Sequence, residues 1–241
     1  MPGAAPQRIA NFAALTEDVR RRIALREELV MDALVHIIDD DESVRNALDT
    51  LFRSVDMKTS LHASAQDFMD AQKPDLPSCL VLDVRLPGIS GLDFQQRLAQ
   101  MNVRIPVVLI TGHGDIPMSV RAMKAGAIDF LTKPFRDQEM LDAVGQAIEK
   151  DRARRAEDRE VNEIRKRFAT LSARERQVMA LVTAGKMNKQ VAGALGLSEI
   201  TVKVHRGRAM QKMAARTLAD LVRMASSLQL SVEGASDNTS V

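Results

Sequence analysis

The chain has 241 residues, of which 45% are apolar and 27% charged, enough for two modest domains and too apolar for global disorder. No window approaches the ~18 uninterrupted apolar residues that a membrane span needs, and the opening "MPGAAPQRIANFAALTEDVRRR" lacks the apolar core of a secretory signal. The net charge of +2 hides an asymmetry: residues 34–138 hold 11 Lys/Arg and 14 Asp/Glu, whereas residues 169–228 hold 10 Lys/Arg and 3 Asp/Glu, a net of +7.

Residues 1–33 read as an N-terminal extension, with "LTEDVRRRIALREEL" patterned for one amphipathic helix and Met31 standing as an alternative start. From Leu34 the pattern alternates. "LVHII", "MKTSL", "SCLVLD", "IPVVLI" and "AIDFLT" are short runs rich in Val, Ile and Leu, as expected of strands buried on both faces. Helical segments follow at 43–55, 64–72, 91–101, 115–125 and from 137 onward, with Ser64 and Asp67 placed as a cap. Alternation of this kind predicts a five-stranded, doubly wound parallel sheet, whose site lies beyond the carboxyl ends of the strands. Cys79, the one cysteine, falls inside an apolar run and reads as a small buried residue, which suits a reducing cytoplasm.

Residues 139–168 predict a long helix, apolar on one side at first and mostly charged from 151 to 168, where it reads as a linker. In "LSARERQVMALVTAGKMNKQVAGALGLSEITVKVHRGRAMQKM", Ser172 and Glu175 form a capping box and Gly185 closes the helix. A second helix spans 188–195, Ser198 caps a third, and a fourth starts at Thr217. Residues 229–241 read as a disordered tail.

The acids concentrate where the predicted site lies. Asp39 and Asp40 follow the first strand, and Asp83 ends the third. Thr111 ends the fourth, and Lys133 follows the fifth. Three converging carboxylates repel one another unless a cation joins them, and hard oxygen ligands favour Mg²⁺. A phosphoryl group on Asp83 would have its charge met by Mg²⁺, Lys133 and the Thr111 hydroxyl, which is the positioning and electrostatics that phosphoryl transfer requires. An acidic first loop would repel a bound nucleotide phosphate. A phosphatase using an aspartyl nucleophile needs a second Asp two residues on, where this chain has Arg85.

The motifs "IIDDDE", "VLDVRLPGISGLDF", "LITGHGD" and "FLTKPF" make residues 34–150 resemble the receiver domain of a bacterial two-component response regulator, of the FixJ-like subgroup. The resemblance implies that Asp83 is the phosphoacceptor and that Asp39, Asp40 and the Arg85 backbone carbonyl complete the Mg²⁺ site. It also implies that Thr111 and Phe130 are switch residues and that the Lys133–Pro134 bond is cis. On residue chemistry alone, Phe130 reads as a core phenylalanine.

Residues 169–228 resemble the LuxR/NarL-type four-helix DNA-binding domain, an all-α helix-turn-helix unit. With no Trp or Tyr for stacking on single strands, duplex DNA is the expected polyanion. At 100° per residue, Val202, His205, Ala209 and Met213 share the inward face of the third helix. Ile200, Lys203, Val204, Gly207 and Gln211 share the outward face, beside Thr201 and Arg208. Lys203 is placed to read guanine, and Ile200 and Val204 to meet thymine methyls. Lys189, Arg206 and Arg208 are placed for phosphates or for solvent.

Together these resemblances imply a phosphorylation-activated transcriptional regulator rather than an enzyme, its own catalysis limited to Mg²⁺-dependent phosphorylation and dephosphorylation at Asp83. The implied partners are a sensor histidine kinase, promoter DNA, a second copy of the phosphorylated chain, and RNA polymerase as a further contact. A constitutive DNA-binding protein with a vestigial receiver is the alternative, against which the complete residue set stands.

Overall fold

The computed structural model of the protein describes residues 33–228; the expected N-terminal helix and C-terminal tail lie outside these residues. Two compact units divide at Arg155 and Ala156.

The first unit alternates strand and helix: β1 (Leu34–Ile38), α1 (Glu42–Arg53), β2 (Lys58–His62), α2 (Ala65–Asp70), β3 (Ser78–Asp83), α3 (Gly91–Gln100), β4 (Val107–Thr111), α4 (Ile116–Lys124), β5 (Asp129–Thr132) and the long α5 (Asp137–Ala169). Every pairing is parallel, in the order β2-β1-β3-β4-β5. Successive strand residues point to opposite faces, and both faces are apolar because helices cover both. Val35, Ile37, Cys79, Val81, Val108 and Ile110 pack with Leu48 and Phe52 of α1 and Met140, Val144 and Ile148 of α5. Ile38, Leu80, Leu82 and Leu109 pack with Phe68 of α2, Leu92, Phe94 and Leu98 of α3, and Ala122 of α4.

The element bounds shift slightly from expectation. β2 runs to His62, one residue late, and β5 begins at Asp129 rather than Ala127. The positive φ of Gly126 and the bond from the Ala127 N–H to the Ala122 carbonyl hold the preceding residues in the helix-closing turn.

The second unit packs the end of α5 with α6 (Ala173–Thr183), α7 (Asn188–Leu195), α8 (Glu199–Met213) and α9 (Leu218–Ser227). Its core joins Val178, Met179 and Val182 of α6, Val191 of α7, Val202, Ala209 and Met213 of α8, and Leu221 of α9. Local chemistry sets the boundaries. Ser172 and Glu175 form the reciprocal capping box of α6, Ser198 accepts the Thr201 N–H, and Thr217 pairs with Asp220 at α9. α7 and α8 are joined by Gly196-Leu197-Ser198, a three-residue helix-turn-helix corner in which Gly196 takes φ 64°.

Candidate functional site

The parallel register brings four strand ends to one edge. β3 lies between β1 and β4, so Asp83 faces the loop after Ile38 on one side and the end of β4 on the other. Asp39 and Asp83 are buried and Asp40 is exposed; one carboxylate oxygen from each lies within 4.8 Å of the other two. Lys133 bridges two of the acids, its Nζ 2.6 Å from Asp39 Oδ2 and 3.1 Å from Asp83 Oδ1. The Arg85 N–H donates to Asp83 Oδ2 at 2.9 Å. The Lys133–Pro134 bond is cis.

Burial pushes the Asp83 carboxyl above its ordinary value, and the ammonium of Lys133 offsets this only in part. Burial also works against the charge on Lys133, but the hydrogen bond it donates to Asp39 and the charges of both acids outweigh it and raise the lysine. The neighbouring acids of the same loop behave differently. Asp41 caps α1, accepting the Ser43 N–H at 2.8 Å, and its carboxyl is lowered first by the Ser43 hydroxyl and then by that N–H. Glu42 stands in the first turn, where a helix favours anions.

Thr111 is fully buried at the end of β4. Among the described residues its hydroxyl makes two long bonds, both of 3.3 Å, to the carbonyl and N–H of His113. Phe130 is half-buried against the α3/α4 side of the sheet.

Three supporting residues escaped the sequence reading. Arg45 Nη1 donates to the Asp39 and Asp40 carbonyls at 2.7 and 3.0 Å and holds the acidic loop in shape. Only the proximity of a cation in the next helical turn hinted at it. A Cβ on Gly91 would stand 2.2 Å from the Asp83 carbonyl oxygen, so the start of α3 lies directly on the backbone of Asp83. A Cβ on Gly114 would stand 2.6 Å from Thr132 Cγ2 and 3.0 Å from Phe130 Cε1, so that loop crosses against Phe130.

The second unit presents a separate surface. On α8, Ile200 is 78% and Val204 46% exposed, and Lys203, Gly207 and Arg208 are exposed beside them; Lys189 is exposed on α7. Thr201 is half-buried, its hydroxyl 2.8 Å from that of Ser198. Arg206 is also half-buried and lies 3.4 Å from Asn188 Oδ1, a geometry that turns it toward α7. His205 is half-buried with Nδ1 shielded from solvent.

An acidic cluster at the carboxyl edge of a parallel sheet and a basic helix-turn-helix unit are the two parts of a signal-controlled DNA-binding protein, and comparison with known proteins agrees. Residues 35–145 match the response regulator receiver domain and residues 169–225 the bacterial regulatory proteins of the luxR family. Nodulation protein W of Bradyrhizobium diazoefficiens is 58% identical over 199 residues, covering 83% of this chain and 88% of that protein. The transcriptional regulatory protein FixJ of Rhizobium meliloti is 45% identical over 195 residues, covering 80% and 95%. The solved structure of the response regulator StyR is similar with a TM-score of 0.72 and 46% identity, covering 81% of this chain and 98% of that one.

The chain therefore belongs to the response regulators of two-component systems: a receiver domain followed by a LuxR-family DNA-binding domain. It is a transcription factor rather than a conventional enzyme. Among the described residues, no helix is long and apolar enough to cross a membrane.

Proposed function

We propose that Asp83 accepts a phosphoryl group from a sensor histidine kinase and that this modification controls promoter binding by the helix-turn-helix unit. The receiver spans 34–150, the linker helix 151–168 and the DNA-binding domain 169–228, between an extension at 1–33 and a tail at 229–241. The meeting of Asp39, Asp40, Asp83 and Lys133 at one sheet edge carries the reading.

In the transfer, the bond from phosphorus to the donor nitrogen breaks and a bond to an Asp83 carboxylate oxygen forms. The Arg85 N–H holds Oδ2, so Oδ1 is the oxygen whose modification leaves that contact in place. Lys133, already between Asp39 and Asp83, then meets the phosphoryl charge. The clustered oxygens of Asp39, Asp40 and Asp83 suit Mg²⁺, with the Arg85 carbonyl as a further ligand; when bound, the ion would neutralise charge on the transferring group. Thr111, held by two long bonds, gives them up at little cost to reach the phosphoryl group, and Phe130 follows inward. Selection of that second receiver state is the regulatory event.

Ile116, Val120 and Met123 form an exposed apolar stripe on α4, which supports a dimer of phosphorylated receivers formed through α4, β5 and α5. Lys189, Ile200, Lys203, Val204, Gly207 and Arg208, all exposed, constitute the DNA-facing set, with half-buried Thr201 and Arg206 at its margin. Paired half-sites follow from the dimer, and RNA polymerase is the further partner of the bound complex. A protein working on promoters acts in the cytoplasm.

Incubation with acetyl phosphate and Mg²⁺ tests the site. The protein gains one phosphoryl group, Asp83→Asn gains none, and Asp40→Asn needs more Mg²⁺. Equal labelling of Asp83→Asn would overturn the assignment.

A further inference from the structure

α3 joins the backbone of Asp83 to the end of α4. Its first residue, Gly91, lies against the Asp83 carbonyl and donates its N–H to the Val84 carbonyl at 2.9 Å. One helical turn on, and so on the same face, stands Gln95, 4% exposed. Its Nε2 donates to the Ala125 carbonyl at 3.2 Å and, at the limit of a hydrogen bond, to the Ala122 carbonyl at 3.5 Å. Ala125 closes α4, where the last carbonyls have no partner within the helix. Gln95 therefore caps α4 from a neighbouring helix. The arrangement has a cost: Gln95 Oε1 is buried with no hydrogen-bond partner among the described residues, which offsets part of what the two bonds contribute. Turning the amide over would set Oε1 against two carbonyls, so chemistry fixes its orientation. The remaining hold on α4 is light. Ala122 is buried and Met118 half-buried, while Ile116, Val120 and Met123 stand exposed. The pair of Asp93 with Arg121, at 3.9 Å between the same two helices, is exposed and adds little.

We propose that Gln95 is a positioning residue, a latch that holds α4 before transfer and opens when Asp83 is phosphorylated. The inference rests on the phosphorylation reading above and adds a route to α4 through α3, separate from Thr111 and Phe130. Lys133 bridges Asp39 and Asp83, and the Thr111 hydroxyl is turned to His113, so the latch is closed in the geometry that precedes transfer. A phosphoryl group draws on the end of β3, and the close contact at Gly91 passes any movement of the Asp83 backbone to the start of α3. Bonds already 3.2 and 3.5 Å long leave hydrogen-bonding range with a shift of under about 1 Å. The released amide then meets water at Oε1 as well as Nε2, so opening is inexpensive. That near balance is what a two-state element requires. Once released, α4 is free to carry its exposed stripe into the proposed dimer.

Gln95→Met keeps the length and helix preference of the side chain and removes both bonds. The full-length protein, treated with acetyl phosphate and Mg²⁺, is used to select its operator from a pool of randomised duplexes, and affinity is then measured with and without the phosphodonor. Without it, Gln95→Met should bind about fivefold more tightly than the wild type, the worth of one ordinary hydrogen bond. The same gain should separate Asp83→Asn/Gln95→Met from Asp83→Asn. With the phosphodonor, Gln95→Met should match the wild type, so its response shrinks by the same factor. A second measurement needs no variant. The N–H groups of Ala125, Gly126 and Ala127, which bond to the Arg121, Met123 and Ala122 carbonyls, should exchange hydrogen faster in the wild type once acetyl phosphate and Mg²⁺ are added, and not in Asp83→Asn. A Gln95→Met protein that keeps the wild-type response, or loses affinity equally in both states as a merely structural residue would, overturns the latch and leaves the phosphorylation reading standing. Unchanged exchange at the end of α4, in a wild type whose operator affinity does respond, overturns it too, and decides the matter alone if circular dichroism shows Gln95→Met unfolded. A wild type whose affinity ignores the phosphodonor overturns the phosphorylation reading and the inference together.

Discussion

At the scale of single residues, His36 and His62 show how a polar pair survives inside the receiver. They lie on neighbouring strands with His36 Nδ1 3.2 Å from His62 Nε2, and both rings meet the edge of Phe68. Only one proton fits between the two nitrogens, so one ring donates and the other accepts. Burial, then the nearness of His62 and of Lys73, lowers His36 from 6.5 to about 4; burial also lowers His62. The unfolded chain therefore binds protons that the folded chain refuses. The stability contributed by the neutral pair is complete above about pH 6.5 and is lost as the pH falls toward about 4. For His36 alone the loss amounts to about 3 kcal/mol. Urea unfolding at several pH values checks this: wild-type stability should fall across that window, and His36→Val should flatten the fall. An unchanged slope in the variant would remove His36 as its source. In the sequence these histidines could not be told from solvated ones, because their burial depends on strand pairing across 26 residues. Asp39, Asp40, Asp83, Thr111 and Lys133 were legible, since each follows or ends an apolar run. Arg45 and Gly114 were not, because their roles are defined by atoms from other elements.

Among the elements, α5 carries a feature that its composition conceals. "DRARRAEDRE" read as part of a mostly charged linker, yet Asp151 within it is 1% exposed. Its Oδ2 accepts the Ser78 N–H at 3.0 Å, at the start of β3, and the Arg155 Nε–H at 2.6 Å, while Arg154 holds Oδ1. Arg155 also reaches Asp75. The same strand therefore bears Asp83 at one end and is fastened to α5 at the other. Asp151→Ala leaves a backbone donor and two guanidinium groups without this acceptor, and should cost about 3–5 kcal/mol in urea unfolding, as for other broken buried pairs. Asp151→Asn, which can still accept from Ser78, should cost less; equal and small effects would show that α5 is not held there. Helix termini were the most legible elements. Ser64, Ser172, Ser198 and Thr217 announce themselves through side chains that cap their own backbone, a local chemistry that needs no tertiary partner. The start of β5 was less legible, because the turn around Gly126 is set by its bonds to α4 and β4.

For the whole molecule, an acidic sheet edge and a basic helical unit are joined in one chain, and the division of charge between residues 34–138 and 169–228 already separated them in the sequence. The order of strands in the sheet, which brings β3 between β1 and β4, is a tertiary fact that composition does not carry. The proposed regulation through Asp83 requires that its phosphorylated state and the DNA-bound state favour each other, a coupling that ordinarily amounts to about 5- to 150-fold in affinity. The most direct measurement is operator affinity with and without acetyl phosphate and Mg²⁺, for the wild type and Asp83→Asn in parallel. The wild type should bind roughly tenfold or more tightly once phosphorylated, and Asp83→Asn should not respond. An unresponsive wild type, or an Asp83→Asn protein that gains affinity equally, would contradict control through Asp83.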